Sequence, residues 1–265
     1  MDIERKDFIY SKMCSMNMDI SSAGYAKLDD NWYLENPIKF NYSRFYFVLD
    51  GQGEITVNGI KTILKKGNIY FVPSDTLFSF SCNNYLEKVY FHVNVYCAGT
   101  FDLFSSLNKC IVINNQMPLI NEIYELYEKS NASDILKIRT HLYSLLCRIA
   151  MENQLTANTA VSPFVSEVLE YLNEHFIENP TEEAIAKALY VSRDKLRKIF
   201  KNEMNIPLGK YIDNMLLDAA EKELRTTNFS IREISQKYGY CDQFYFSRIF
   251  SKKYGVSPQK YRKVT

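Results

Sequence analysis

The chain has 265 residues, 46% of them hydrophobic, and its 32 basic residues are nearly matched by 31 acidic ones, which leaves a formal net charge of +1. This composition can supply real hydrophobic cores, and the length favours two domains at ~150 residues each. No run of about eighteen apolar residues occurs, and Met1 to Ile20 has no apolar stretch suited to a signal peptide. We therefore expect a soluble, cytoplasmic protein with no membrane partner.

Cysteine and histidine are used in ways that argue against metal chemistry. The six cysteines include no C-x-x-C pair, so neither a disulfide framework nor a zinc site is expected, and we interpret them as reduced thiols. Of the three histidines, His92, His141 and His175, only the first lies among the β-type segments described next. Because one imidazole cannot build a catalytic first-row metal site, we predict no metal, no cofactor and no catalytic residue. The cysteines are Cys14, Cys82, Cys97, Cys110, Cys147 and Cys241.

Short segments rich in Phe, Tyr, Val and Ile alternate with turn signals from Arg44 to Tyr96. Asp50-Gly51, Asn58-Gly59 and Lys66-Gly67 are typical of hairpins or tight turns. Closely spaced antiparallel hairpins predict a small barrel or a double-sheet jelly roll. The predicted strands are Phe45 to Leu49, Glu54 to Val57, Lys61 to Leu64, Ile69 to Val72, Leu77 to Ser81 and Leu86 to Val95.

Aromatic side chains are abundant around the predicted barrel. Stacked rings with a few polar groups suit a sugar or another small organic effector. Most of the 20 Tyr and 17 Phe must still fill cores, so core packing is the alternative for each ring and for His92. The candidate effector-binding residues found in this way are Trp32, Tyr46, Tyr90 and His92.

Two helical segments, Pro118 to Lys129 and Ser133 to Glu152, follow the predicted barrel. The second has the 3-4-3-4 apolar spacing of a coiled-coil seam, which indicates dimerisation. Leu136, Tyr143 and Leu146 widen the apolar stripe, so docking of one face on the barrel is the alternative. The seam residues are Ile135, Ile138, Leu142, Leu145 and Ile149.

The composition and charge of the chain change after the helical segments. Asn153 to Val161, NQLTANTAV, has no apolar periodicity and is interpreted as a flexible linker. Tyr190 to Thr265 carries 16 Lys and Arg against 8 Asp and Glu, whereas the other 189 residues carry 16 against 23. A basic carboxyl end on a mildly acidic body suits DNA, because Lys and Arg release counterions condensed on phosphates.

Ser230 to Phe250, SIREISQKYGYCDQFYFSRIF, is typical of a helix, a sharp turn and a second helix. Ser230 and Glu233 have capping-box spacing, Gly239 can end the first helix in a left-handed conformation, and Asp242 can cap the second helix. On the outer face, Gln and Arg can bind adenine and guanine edges, and Phe can contact a thymine methyl group. The predicted DNA contacts are Asp242, Gln243, Phe244, Ser247, Arg248 and Lys252.

An internal repeat places a similar unit, TEEAIAKALYVSRDKLRKIF, about fifty residues upstream. Thr181 and Ser192 are positioned to cap its two helices. A helical stretch from Leu208 to Arg225, ~27 Å long at 1.5 Å per residue, joins the two units. Major grooves recur every ~34 Å, so a strut of this length predicts bent DNA. The outward residues of the first unit are Ser192, Arg193, Asp194, Arg197 and Lys198.

The segment from Ser162 to Lys263 resembles the double helix-turn-helix domain of the AraC/XylS family of bacterial transcription regulators. Its most specific part is GYCDQFYFSRIFSKKYGVSPQKYR, from Gly239 to Arg262. The resemblance implies base contacts from the outward positions of both units. The family's connecting helix usually has an Arg near its start where this chain has Leu216, so that DNA contact is not expected here.

Upstream, LDGQGEITVNGIKTILKKGNIYFVPSD resembles the cupin-like effector domain that precedes the DNA-binding half in many AraC relatives. This second resemblance implies that Lys88 and Tyr90, on the last long strand, line an effector pocket. It also implies that the protein forms a homodimer through the helical segment.

The sequence therefore predicts a two-domain α+β protein with a cupin-like barrel or jelly roll and an all-α domain of two helix-turn-helix units. We expect a DNA-binding transcription regulator controlled by a sugar-like effector, with RNA polymerase as a further candidate partner. The alternatives are a barrel enzyme with a helical appendage and an effector-independent DNA-bending protein. The predicted boundaries are residues 1–115 for the effector domain, 116–152 for the dimerisation segment, 153–161 for the linker and 162–265 for the DNA-binding domain.

Overall fold

A computed structural model describes residues 17–97, 101–155, 162–176, 180–204 and 206–264. These residues form two compact units, a sheet domain of residues 17–95 and 102–155 and a helical domain from residue 162 onward. The predicted α+β two-domain architecture is confirmed. Residues 156–161 of the predicted linker lie outside the described ranges. None of the helices described is both long and apolar enough to span a membrane.

The sheet domain contains nine strands followed by two helices. The helices are α1, Met117–Lys129, and α2, Ala132–Glu152, within one residue of both predicted segments. The strands are β1 Asn17–Leu28, β2 Tyr33–Lys39, β3 Ser43–Val57, β4 Ile60–Lys65, β5 Ile69–Val72, β6 Leu77–Ser81, β7 Leu86–Cys97, β8 Phe101–Asp102 and β9 Ile111–Ile113.

Strand β3 belongs to two antiparallel sheets and organises the domain. Its first half, Arg44 to Phe47, lies between β5 and β7, and its second half, Glu54 to Val57, lies between β4 and β6. The first sheet has the order β1-β7-β3-β5-β9, and β2 extends the second sheet beyond β6. Because side chains alternate across a strand, Phe45 and Phe47 face one side of the first sheet and Tyr46 faces the other.

The sequence prediction was wrong at Asp50-Gly51, where it placed a turn between two strands. The strand continues through these residues, and its register against β7 shifts between Val48 and Asp50. Gly51 has φ +76°, and a Cβ atom there would lie 2.2 Å from the carbonyl oxygen of Tyr85. This irregularity is a β-bulge at which one strand passes from the first sheet to the second.

The two other turn predictions, at Asn58-Gly59 and Lys66-Gly67, are confirmed, since both pairs lie between strands and Gly67 has φ 81°. Asn58 and Gly59 both have positive φ, at 48° and 82°, and they join β3 to β4 with Val57 opposite Ile60. Two left-handed central residues define the turn type that matches the twist of a hairpin.

The core of the sheet domain lies between the first sheet and the two helices. Phe45, Phe47, Phe71 and Phe91 of the sheet belong to one buried cluster with the inner faces of α1 and α2. Four of the five predicted seam residues are in this cluster, so they pack within the domain, as the docking alternative predicted. Ile135, the fifth, is half exposed. The seam residues buried here are Ile138, Leu142, Leu145 and Ile149.

The helical domain contains two helix-turn-helix units and a connecting helix. Helices α4 and α5 form the first unit, α7 and α8 form the second, and α6 joins them. The helices are α3 Pro163–Glu174, α4 Glu182–Ala188, α5 Arg193–Met204, α6 Leu208–Thr226, α7 Ile231–Lys237, α8 Gln243–Tyr254 and α9 Pro258–Val264.

Each unit contacts α6 through an aromatic side chain, Phe200 in the first unit and Tyr254 in the second, whose hydroxyl donates to the Leu217 carbonyl at 3.3 Å. Phe200 of α5 contacts Tyr211 of α6, with ring centroids 5.2 Å apart. Phe246 and Phe250 of α8 are fully buried, and Ile249, the third residue of the predicted stripe, is half-buried. Leu216 is also buried, so the position where relatives have an Arg is part of the core in this chain.

Candidate nucleic-acid interface and candidate effector site

The second helix-turn-helix unit is fixed by caps at both of its helices. Ser230 and Glu233 form the predicted capping box, with the Ser230 N–H donating to Glu233 Oε2 at 2.7 Å. Asp242 Oδ1 accepts from the N–H groups of Phe244 and Tyr245, both at 2.7 Å, and these bonds lower the pKa of the Asp242 carboxyl. Asp242 therefore sets where α8 begins, and it is itself exposed at that end.

The outer face of α8 carries the predicted contacts. Phe244 is 77% exposed, and Arg248 and Lys252 are exposed as well. Gln243 and Ser247 are half-buried, and the Ser247 hydroxyl donates to the Gln243 carbonyl at 2.7 Å. An exposed ring beside exposed cations is an arrangement that can contact both base edges and phosphates.

Tyr245 is a residue that the sequence reading missed. It is 41% exposed on α8, and the Arg248 guanidinium lies over its ring at 5.3 Å. The adjacent aromatic pair Phe244-Tyr245, in the first turn of the predicted second helix, could have indicated it in the sequence. Its contact holds the Arg248 side chain along the outer face.

The first unit has the same geometry with different side chains. The Ser192 hydroxyl accepts from the Lys195 N–H at 3.3 Å, as predicted for a cap. Arg193, Asp194, Arg197 and Lys198 are all exposed on α5. The repeat extends to the turns, where the Val191 N–H donates to the Ala186 carbonyl and the Tyr240 N–H donates to the Ser235 carbonyl, both at 3.0 Å.

Two residues in the first unit differ from the second in ways that the sequence did not reveal. Tyr190, at the position of Gly239, has φ 53° and is 96% exposed. Glu182 at the start of α4 accepts from Arg197 Nε at 2.5 Å and lies 3.9 Å from Arg193 Nη2. Two of the predicted DNA-contacting cations in the first unit are thus paired with one carboxylate.

The connecting helix α6 is fixed to the second unit by a buried polar network. Glu221 Oε1 accepts from the Tyr261 hydroxyl at 3.0 Å and from Arg225 Nε at 3.3 Å. Asp218 accepts from the Tyr254 hydroxyl at 2.7 Å and pairs with Lys253. Burial raises the pKa of the Glu221 carboxyl, and the Arg225 charge opposes that shift. These bonds link α6 to α8 and α9.

The predicted effector residues converge on one face of the first sheet. Tyr46 lies opposite Tyr90 in the register of β3 and β7. Lys88 Nζ lies 3.4 Å from the centroid of the Tyr46 ring and 4.0 Å from that of Trp32. His92 stacks on Tyr42 with ring centroids 4.4 Å apart.

Arg44 is the residue of this face that the prediction missed. It is buried opposite His92, with its guanidinium 3.8 Å from the Phe40 ring and 4.5 Å from the Phe78 ring. The signal was its two-residue spacing from Tyr46, which places both side chains on one face. Within the described ranges, no group of three His, Cys, Asp or Glu side chains could hold a metal ion.

Comparison with known proteins supports the helix-turn-helix assignment. A family model described as a helix-turn-helix domain matches residues 185–264, from α4 to the end of α9. The Msm operon regulatory protein of Streptococcus mutans is 26% identical, with 96% of each chain covered. The raffinose operon regulator RafR of Pediococcus pentosaceus is 27% identical over 90% of each chain. The arabinose operon regulatory protein of Salmonella typhimurium is 22% identical over 91% of this chain and 92% of its own.

Among solved structures, ToxT from Vibrio cholerae has the same overall fold, with a TM-score of 0.57 and 13% identity. The alignment covers 94% of this chain and 98% of ToxT. The matched family and the relatives are regulators rather than enzymes, and the geometry of both helix-turn-helix units agrees with them. Residues 185–264 therefore form a helix-turn-helix domain of the AraC type, and nearly the whole chain is similar to DNA-binding operon regulators.

Proposed function

We propose that this regulator controls a carbohydrate-utilisation operon by placing α5 and α8 in successive major grooves of its operator. The observation that carries the proposal is the repeated unit, in which two capped helices with exposed polar faces are joined by α6. Named relatives that regulate raffinose, lactose and arabinose operons support a sugar-related role. Such a regulator works in the bacterial cytoplasm, beside its DNA and RNA polymerase.

The residues proposed to contact DNA lie on the outer faces of the two second helices and at their caps. In each unit the cap and the first turn lie closest to the bases, since recognition helices use their amino-terminal residues to contact base edges. The proposed contacts are Ser192, Arg193, Asp194, Arg197, Lys198, Asp242, Gln243, Phe244, Ser247, Arg248 and Lys252.

The experiment for DNA binding is selection of duplexes from a random pool by the full chain, followed by affinity measurement at several salt concentrations. We expect an enriched motif of two short boxes about one helical turn apart, with affinity falling steeply as salt rises. Binding that is equally tight on all duplexes would contradict sequence-specific regulation and favour the DNA-bending alternative.

A small-molecule effector in the sheet domain is the second part of the proposal. The convergence of Trp32, Tyr46, Lys88, Tyr90 and His92 on one face supports it. A crystal structure of ToxT, which shares the fold, contains an unsaturated fatty acid. Effector-dependent regulation requires that a ligand change the affinity for the selected operator, which titration with raffinose, lactose and arabinose measures first.

We also propose that the protein acts as a homodimer through the outer face of α2. The inner face is used within the domain, whereas Leu136, Tyr143 and Met151 on this helix are exposed. Replacing Leu136 and Met151 by Glu should convert a dimer into a monomer in analytical ultracentrifugation. An unchanged sedimentation coefficient would place the interface elsewhere.

A further inference from the structure

Two cations lie inside the sheet domain without a neutralising acid. Lys88 and Arg44 are each only 3% exposed. Neither forms an ion pair with any residue that the structure describes, and Arg44 Nη2 has no hydrogen-bond partner there. Buried Lys and Arg are normally paired, because removing an ion from water costs several kcal/mol.

The surrounding groups offset only part of that cost. Lys88 contacts the rings of Trp32 and Tyr46, and Arg44 contacts the rings of Phe40 and Phe78. Cation–π contacts attract a cation but supply neither the negative charge nor the hydrogen bonds that it loses with its water. The rings therefore line the two charges but leave them without an anion.

The two charges also oppose each other. Both side chains lie on the Tyr46 face of the first sheet, Lys88 opposite Val48 on β3 and Arg44 two positions before Tyr46 on the same strand. Burial lowers the pKa of Lys88 well below its usual value, and the nearby Arg44 charge lowers it further. An anion held by both side chains would offset this repulsion and favour the charged form of Lys88.

We propose that the effector of the sheet domain carries an anionic oxygen group, a carboxylate or a phosphate, held jointly by Lys88 and Arg44. The inference rests on the proposed function and narrows its sugar-like effector to a sugar phosphate or sugar acid. Arg supplies a planar fork that binds two oxygens at once, and Lys supplies a point charge. The half-buried Trp32 ring, with its centroid 4.0 Å from Lys88 Nζ, lies beside the proposed anion.

Trp32 fluorescence can report anion binding at this site. Trp32 is the single tryptophan of the chain, and Lys88 Nζ lies 4.0 Å from the ring centroid. The experiment is titration of the full chain with inorganic phosphate and, separately, with acetate, while chloride keeps the ionic strength constant. We expect Trp32 fluorescence to change in a saturable way with at least one of the two anions.

Three variants test the assignment to these side chains. Lys88→Met and Arg44→Met should each abolish the saturable change, because Met has a similar length but no charge. Lys65→Met removes an exposed Lys of the same domain and should leave the change intact. Without any anion, Lys88→Met should melt at the wild-type temperature or higher, since an unpaired buried cation has been replaced by an apolar side chain. This melting result also shows that the variant folds.

Comparing the two anions shows which anionic group the effector carries. A response to phosphate alone indicates a phosphate ester, a response to acetate alone indicates a carboxylic acid, and responses to both indicate a site that accepts either. Glucose 6-phosphate and gluconate, each compared with glucose, then test the matching larger ligands. No saturable response to either anion, or one that persists in both Lys88→Met and Arg44→Met, overturns the proposal.

Failure of this inference can be told apart from failure of the proposed function. If operator binding is shifted by a neutral sugar while Trp32 does not respond to anions, the regulator stands and the anionic effector does not. If no duplex is selected, the DNA-binding proposal fails, whereas the Trp32 titration still reports on the sheet domain.

Discussion

Arg248 is the exposed residue of α8 best placed to read a base, because its guanidinium extends over the Tyr245 ring on the outer face. Replacing it by Ala should weaken binding to the selected operator by about 1 to 3 kcal/mol, the usual contribution of a bidentate contact to guanine. Competition between the operator and random duplex measures the change. Arg148→Ala, an exposed Arg on α2 paired with Glu152, is the matched control and should have no effect. Equal loss on both duplexes would identify Arg248 as a phosphate contact.

Asp102 should make the stability of the sheet domain depend on pH. Burial raises the pKa of this carboxyl to about 7, although it accepts from the N–H groups of Phe104 and Val95. The folded state therefore keeps a proton that the unfolded state has lost, from about pH 4 upward. The free energy of unfolding should fall as pH rises toward 7, by up to about 1.4 kcal/mol per unit.

Urea denaturation followed by Trp32 fluorescence at pH 5, 6 and 7 measures this slope. Asp102→Asn keeps an acceptor oxygen and removes the titration, so its slope should be smaller than that of the wild type. An unchanged slope in the variant would assign the pH dependence to another group.

Single residues show where pattern reading from the sequence reaches its limit. The caps Ser230, Asp242 and Ser192 were predictable because a cap is a local relation between a side chain and an N–H two or three residues on. The pairing of Glu182 with Arg197 was not predictable, because these residues are fifteen positions apart and lie on two helices separated by a turn. The burial of Arg44 also depends on which face of β3 meets the second sheet, and no local signal specifies that.

At the scale of elements, removing one partner of the buried network on α6 should lower the unfolding free energy more than changing both partners together. Arg225→Met leaves the Glu221 carboxylate buried without its cation, which should cost about 3 to 5 kcal/mol of unfolding free energy. Thermal and chemical denaturation of the full chain measure the loss. The double variant Glu221→Gln with Arg225→Met should recover most of it, since a neutral amide can still accept from Tyr261. A double variant no more stable than the single one would contradict the role of the charge.

Whether an element was predicted depended on how regular its sequence is. The bounds of β5 and β6 and both helices of the sheet domain followed from dense apolar runs with clear turn residues between them. Strands β1 and β2 were missed because Asn17–Leu28 mixes polar, small and apolar residues and is mostly half-buried, while Tyr33–Lys39 contains a Pro and shifts register between Leu34 and Ile38. Their pairing comes from neighbouring strands and not from their own alternation.

For the whole molecule, regulation by an effector implies a reciprocal effect that can be measured. If the effector changes operator affinity by some factor, the operator must change effector affinity by the same factor. Operator binding measured with and without the best-binding anion gives the change in operator affinity. Titration of Trp32 fluorescence with that anion, with and without saturating operator duplex, gives the change in effector affinity. We expect equal factors different from one. A factor of one in both directions would mean that the ligand binds without regulating.

The Glu182 carboxylate also bears on the order of events on DNA. If these residues contact phosphates as proposed, Arg193 and Arg197 must first leave the Glu182 carboxylate, whereas Arg248 and Lys252 form no ion pair with a described residue. We therefore expect the second unit to bind DNA first and to keep the protein on the duplex while the first unit samples neighbouring positions. One acidic side chain would then act as a brake on the first unit alone, so that a half-correct site is released quickly and only a full match is kept.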